Sequence, residues 1–334
     1  MTHKERLEQI EFEELSEFAA KSKQTRGRGK PISKDTLRTE FQRDRDRILH
    51  CKSFRRLQFK TQVFLSPEGD HYRTRLTHTL EVSQVARSIA RGLFLNEDLT
   101  EAIALGHDLG HTPFGHIGER TLSRMLNKTF KHSEHSLRVV DVLENNGKGL
   151  NLTWETRNGI LNHSGGGNPA TLEGRAVAIA DRIAYINHDI DDAIRAGIIK
   201  QYELPKDCIA VLGESHGERI DTMITDVVKH SLNKPALAMS ETVQTATDNL
   251  RRFLFSRVYQ DEWRTDEERK CDFIIGNLFK YYTMNPNKMP AEYLAIAVRE
   301  GAERAATDYI ASMTDRFALR EFKDIFEPSP FQTL

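Results

Sequence analysis

Apolar residues recur along this chain at intervals of three and four, the period of a helix buried on one face. Leu7, Ile10, Phe12, Leu15 and Phe18 predict a short amphipathic helix within residues 1–20. The pattern is again helical over 35–64, and 76–95 and 99–109 predict two helices with buried faces. Another is expected over 176–196, and four more over 220–231, 241–258, 266–282 and 289–313, with Pro205, Pro235 and Pro290 as breaks. No strand-like alternation of any length, internal repeat or low-complexity tract is present, so the fold expected is all-α.

Length and charge narrow the class. The 334 residues suffice for one large or two average domains with a buried core. Forty-eight basic against 49 acidic residues give a net charge of -1, so no polycationic character argues for nucleic acid. Mean hydropathy is -0.55. Cys51, Cys208 and Cys271 lie far apart in no pairing motif, which fits a reducing compartment. No apolar run is long enough for a bilayer and no signal segment follows Met1, so a soluble, cytoplasmic protein without membrane contact is expected. Three regions are expected: an N-terminal helix and basic linker (1–34), a chemical core (35–200) and a helical C-terminal extension (201–334). The linker's Lys21, Lys23, Arg26, Arg28 and Lys30 read either as a solvated flexible connector or as a phosphate-facing segment.

The chemistry concentrates in 104–116, where His107, Asp108, His111 and His116 follow an apolar run. Imidazole beside carboxylate suits first-row divalent metals. Sequential residues on a helix point about 100° apart, so His107 and Asp108 reach one ion only off a helix end or edge. His111, four residues on, is expected on the face of His107, with Pro113 ending the helix. His78 and Asp181 are matching partners; Asp181 lies in an apolar run, where an unpaired carboxylate costs several kcal/mol. Arg75 precedes His78 by about one turn, placed to meet phosphate. A second cluster holds His116, Glu119, His132, Glu134 and His135, residue types able to activate water and protonate a leaving oxygen. Asp181, Tyr185 and Asp189 share a helix face at i, i+4 and i+8. Residues 66–71 read as a turn. The Gly-rich stretch 162–169 lacks the Lys-Ser/Thr of a P-loop and reads as a mobile connection or lid. Arg251, Arg252, Lys270, Tyr281 and Tyr282 read as packing, ahead of base or subunit contacts.

The order His78, His107-Asp108, Asp181 resembles that of the HD-domain phosphohydrolases, and more closely the bacterial deoxyguanosinetriphosphate triphosphohydrolase-like family. The resemblance is carried by 41–50, 53–64, 107–119, 130–136 and 179–197, and loosens in the C-terminal third. It implies an HD helical core with a helical C-terminal extension. It implies one divalent ion on His78, His107, Asp108 and Asp181, with Mn2+ or Mg2+ foremost and Fe2+, Co2+ or Ni2+ also suited. His132 falls at the family's catalytic histidine, Glu119 where an acid orients it, and His111 and His116 at the α-phosphate. Arg56, Lys60 and Gln62 fall at nucleotide contacts, Gln62 near the sugar. Tyr185 and Asp189 fall at the deoxyribose, the ring excluding a 2′-hydroxyl and the acid binding the 3′-hydroxyl. The reaction implied is hydrolysis of a dNTP to deoxynucleoside and tripolyphosphate by a homo-oligomer (dimer, tetramer or hexamer), with an allosteric dNTP or single-stranded DNA as further partner. Two other readings stand beside it: an HD hydrolase of another nucleotide or phosphate ester, and a dNTP-binding regulator with little turnover. The basic run from Arg43 to Lys60 favours the triphosphate, whose charge suits forked guanidinium donors.

Overall fold

The computed structural model describes residues 1–62, 73–258 and 262–328, so the turn expected over 66–71 lies outside the described residues. Helices build the described chain, with two isolated bridges, Arg28 to Thr153 and Thr61 to Thr74. Helix α1 (His3–Glu14) starts at Thr2, whose hydroxyl accepts from Glu5 N while the Glu5 carboxylate answers the Thr2 N–H. That reciprocal box satisfies two orphan donors, and Thr39 with Gln42 repeats it at α2 (Glu40–Leu49). Within the stretch 35–64, whose pattern is helical, α2 ends before Cys51, whose Sγ caps Phe54 N to start α3 (Lys52–Arg56). The break lets Ile48, Cys51, Phe54 and Leu57 enter one apolar cluster from both sides of the turn.

Helix α4 (Arg75–Gly92) and α5 (Glu97–Gly106) begin at Thr74 and Asn96 caps. After α6 (His116–Met125), α7 (His132–Arg138), the single turn α8 (Glu144–Gly147) and α9 (Trp154–Asn162) comes the long α10 (Leu172–Arg195). Helix α10 lies along α4, and Val82, Val85 and Ile89 meet Ile183, Ile186 and Ile190 in a first core. Each such side chain contributes roughly 1.5–3 kcal/mol over exposure. Helices α11 (Lys206–Leu212), α12 (His216–Ser231) and α13 (Glu241–Arg257) close that core through Leu212, Met223, Val227, Leu250 and Leu254.

A second core gathers α14 (Glu262–Met284), α15 (Ala291–Glu300), α16 (Ala302–Ser312) and α17 (Asp315–Phe326). The helix expected over 289–313 is therefore two, broken at Gly301, whose φ of 94° L-residues rarely adopt. Phe114, Ile117 and Leu122, from the turn before α6 and from α6 itself, pack among Ile275, Leu278, Phe279 and Ile310 of this second core. The described residues beyond 200 thus serve both cores.

Two charge readings change. The linker is pinned at Lys21 and Arg28, while Lys23, Arg26 and Lys30 are exposed as a solvated connector requires. Arg28, its side chain 5% exposed, pairs with Asp44 and lies 2.8 Å from Glu40, and the Lys21 ammonium donates to the Leu15 and Ser16 carbonyls. The basic row of α2 is likewise engaged within the fold. Arg43 pairs with Glu40, Arg45 with Asp98 and Glu101, and Arg47 donates to the Leu150 carbonyl. These arginines supply no argument for a triphosphate.

Candidate active site

Helix α5 ends at Gly106 and the chain turns away, so His107 is its C-cap and Asp108 lies past its end. His107 Nδ1 lies 2.6 Å from the Ala104 carbonyl. A carbonyl only accepts, so Nδ1 holds the proton and Nε2 keeps a free lone pair. That Nε2 is buried and without a hydrogen-bond partner, the signature of a donor atom built for a cation. His78, one turn into α4 and 1% exposed, places Nε2 3.2 Å from Asp181 Oδ1 of α10. Asp181 Oδ1 is 3.9 Å from His107 Nε2, and Asp108 Oδ2 is 3.6 Å from it. Two imidazoles and two carboxylates from three helices and a turn converge, and they fit a divalent ion. Burial raises the Asp181 carboxyl, but the neighbouring histidines outweigh it and hold it well down. Asp108 is held low in the same way, by His107 and by Arg75, whose Nη1 donates to its Oδ2 at 2.6 Å.

The chain's departure at Gly106 also corrects the shared face expected of His107 and His111. His111 instead stacks on His132, ring centroids 4.6 Å apart and 15° from parallel, while the His107 ring faces His163 at 5.0 Å. Two anchors fix the turn. The Ser136 hydroxyl of α7 donates to the His107 carbonyl and accepts from Gly110 N. A Cβ on Gly110 would fall 2.1 Å from Ser136 N, so the approach requires glycine. Phe114 and Gly115 then both take φ of 59°, unusual for a phenylalanine.

Glu119, on α6, joins the histidines. Its Oε2 accepts from His116 Nδ1 at 2.7 Å, and its Oε1 from the His132 backbone N–H at 2.7 Å and His132 Nδ1 at 2.9 Å. Burial opposes charge on His132, but the Glu119 bond and charge outweigh it and raise the imidazole above its ordinary value. His116 is exposed at the rim. His111 is buried beside Arg75, and both effects drive it well toward the neutral form.

The other expected residues divide. Gln62 is half-buried and adjoins Arg75 across Gly115, whose Cβ would lie 3.5 Å from Arg75 Nη2 and 3.6 Å from Gln62 O. Tyr185, half-buried with its hydroxyl pushed up to about 12 by burial, and Asp189, 2% exposed, follow Asp181 along α10. Lys60 is 2% exposed and donates to the His111 and Ala311 carbonyls; burial lowers its ammonium to about 7. With Arg56 it lines a cavity shared with Lys52, Tyr293 and Ser312 and with none of the four candidate metal ligands. Lys270 pairs with Asp266 and Glu267, and Tyr282 is buried, its hydroxyl on Glu321.

Sequence reasoning missed His163. It is the C-cap of α9, as His107 is of α5, and its Nδ1 meets the Ile160 carbonyl three residues back at 2.8 Å. Its Nε2 faces His132 Nε2 at 3.2 Å, and Ser164 Oγ lies 3.2 Å from the same His132 atom. Burial, then His107 and His132, push the His163 imidazole down to about 3, so it is neutral. Asp108, His132 and His163 bring ligand atoms within 4.8 Å of one another, joining the two halves of the site. The available signal was a histidine at a helix end before Gly-Gly-Gly, much as His107 precedes Gly110.

Comparison with known proteins gives the family. The HD domain model matches residues 75–186 and the phosphohydrolase-associated domain model residues 237–324. The chain is 60% identical to a deoxyguanosinetriphosphate triphosphohydrolase-like protein of Caldanaerobacter subterraneus, covering 99% of this chain and 98% of that one. It is 47% identical to a protein of the same description from Clostridium tetani (98% and 97% covered) and 39% to one from Geobacter sulfurreducens (98% and 99%). A solved phosphohydrolase from Bacteroides thetaiotaomicron superposes with a TM-score of 0.50 at 16% identity, over 90% of this chain and 71% of that one, a likeness of fold.

Proposed function

The chain belongs to the deoxyguanosinetriphosphate triphosphohydrolase-like family of HD-domain phosphohydrolases, and from that premise we propose that it hydrolyses deoxynucleoside triphosphates to deoxynucleoside and tripolyphosphate. One observation carries the reading: Asp108 of the cation-binding set lies within 4.8 Å, ligand atom to ligand atom, of His132, the histidine held by Glu119. When bound by His78, His107, Asp108 and Asp181, a divalent ion supplies Lewis-acid polarisation of a phosphoryl oxygen and an acidified water. Arg75 neutralises charge on the phosphates, and His111 and His116 donate to the α-phosphate. His132, kept protonated by Glu119, gives its proton to the leaving 5′ oxygen. Tyr185 and Asp189 hold the deoxyribose and Gln62 borders it; a site that hydrogen-bonds a substrate hydroxyl discriminates strongly. Arg56 and Lys60 act from behind the 111–116 turn. A cytoplasmic homo-oligomer belongs to the same proposal.

Turnover of the four dNTPs and GTP with Mn2+ or Mg2+, products resolved by chromatography and 31P NMR, tests it. Deoxynucleoside with tripolyphosphate is the expected result; orthophosphate or pyrophosphate would reassign the bond broken. A second reading, a smaller phosphate ester, is favoured by one finding: Arg43, Arg45 and Arg47 are engaged in the fold, which lowers the positive charge available to a triphosphate. Preferential turnover of nucleoside monophosphates in the same panel would select it.

A further inference from the structure

The second core reaches the catalytic turn through one carboxylate. Asp315 opens α17, 4% exposed, directly after the Thr314 cap. Its Oδ1 accepts from Phe114 N at 3.0 Å. Its Oδ2 accepts from Thr61 N at 2.9 Å and from the Thr61 hydroxyl. Thr61 precedes Gln62, and Phe114 lies between His111 and His116. One side chain therefore ties together two segments, separated by more than fifty positions, that face the same ligand space. Lys60 repeats the tie one residue earlier, its ammonium bridging the His111 carbonyl to the Ala311 carbonyl at the end of α16.

The residue type is dictated. Three donors point at this place, and a carboxylate is a group that only accepts. The held segment is also strained: Phe114 takes φ of 59° where a side chain is disfavoured, and such a residue persists only when its surroundings over-determine it. Its ring in the second core and its N–H on Asp315 are those surroundings.

We propose that Asp315 is a positioning residue for the reaction, setting the His111–His116 turn and Gln62 in register with the cation-binding half through the first residue of α17. The proposal rests on the hydrolase reading for its kinetic readout, but its structural readout is independent of it.

The experiment compares the full chain with Asp315→Asn, Thr61→Val and Tyr282→Phe, the last removing a hydroxyl that meets Glu321 further along α17 while leaving the Asp315 carboxylate in place. An amide at 315 must turn an N–H toward one of the donors. Asp315→Asn is expected to lower kcat on the order of 100-fold, the scale of about a 1 Å misplacement, with Mn2+ per chain unchanged. Hydrogen exchange is expected to quicken in 57–62 and 109–117 together, about tenfold or more, and not in α4 or α10. Thr61→Val, which leaves the carboxylate in place, moves both readouts the same way to a lesser degree and stands in if Asp315→Asn fails to fold. Tyr282→Phe leaves kcat at the parent value. Unchanged exchange in both segments, or equal loss of kcat in Tyr282→Phe at matched Tm, overturns the proposal. A parent chain that turns over no dNTP overturns the proposed substrate while the exchange comparison still decides the role of Asp315.

Discussion

His78, His107 and Asp181 hang from α4, the end of α5 and α10, whose apolar faces close the first core, with Asp108 on the turn just beyond. His111, His116 and Glu119 hang instead from a turn and α6 that pack on the second, and His132 from α7, tied to that second core by Arg138 on Asp308. The first set needs three helices in contact and the Ser136 hydroxyl that holds the His107 carbonyl. His107 is oriented by a carbonyl three residues back, and His78 and Asp181 by their places on packed helices. The second set is held by contacts from afar, such as Asp315 on Phe114 N and Arg138 of α7 on Asp308 of α16, a buried carboxylate. The candidate site is a seam: in the proposed reaction, cation binding draws on helices of one core, and proton transfer and phosphate contact on elements that the other core docks.

That division is separable by mutation. The largest effect expected is that of Asp108→Ala, which removes bound metal and turnover together; hydrolysis retained in a clean preparation, read beside metal content, would sink the role of the cation. His132→Gln should cost roughly 10²–10⁴ in kcat while leaving metal content at the parent value, the loss expected of a general acid. Joint loss of both would erase the distinction between the halves.

Glu119→Gln sharpens the comparison through pH. A raised histidine contributes stability below its ordinary range and loses it as pH rises through the raised value, because the folded state favours the proton. Turnover that needs the imidazolium therefore falls on the alkaline side at that raised value. Removing the Glu119 charge lets His132 titrate lower, so the alkaline limb of kcat/KM moves to lower pH; a shift upward, or none, contradicts the pairing. His163→Ala should cost about 10–100-fold in turnover or metal affinity, as loss of an oriented neighbour of a metal site does. Parent-like titration with Mn2+ and parent-like kcat would show that its likeness to His107 has no consequence. The smallest catalytic effects belong to the cores. Leu122→Ala should cost about 2–5 kcal/mol and Ile183→Val about 0.5–1.5 kcal/mol in urea unfolding, the first lowering kcat through α6 and the second leaving it unchanged.

The same seam explains what could be read from the chain alone. The all-α fold was legible because buried helices print their period directly, as in Val82, Val85 and Ile89. The convergence of His78, His107, Asp108 and Asp181 was legible because the donor types sit in or beside apolar helices where they have no other use. What depends on docking was not. Arg43, Arg45 and Arg47 look like a phosphate row until Glu40, Asp98 and the Leu150 carbonyl claim them. Lys60 looks like a ligand contact until α16 supplies a carbonyl to its ammonium. His163 looks like a loop residue because its partner, His132, is 31 positions away and brought near by tertiary packing. Gly301 breaks a helix that its apolar period alone would continue.

The close approach at Gly110 bears on how such a site can change over generations. Any side chain there would strike the backbone of α7, and Gly115 adopts a conformation that side chains resist while facing Arg75 and Gln62. Single substitutions at these two places would displace the turn, and with it the proposed reaction, before they could alter its choice of molecule. In the proposed reaction, heritable novelty in what is accepted is therefore channelled to the α10 face carrying Tyr185 and Asp189, the residues proposed to hold the sugar, which carry no backbone anchor of the turn.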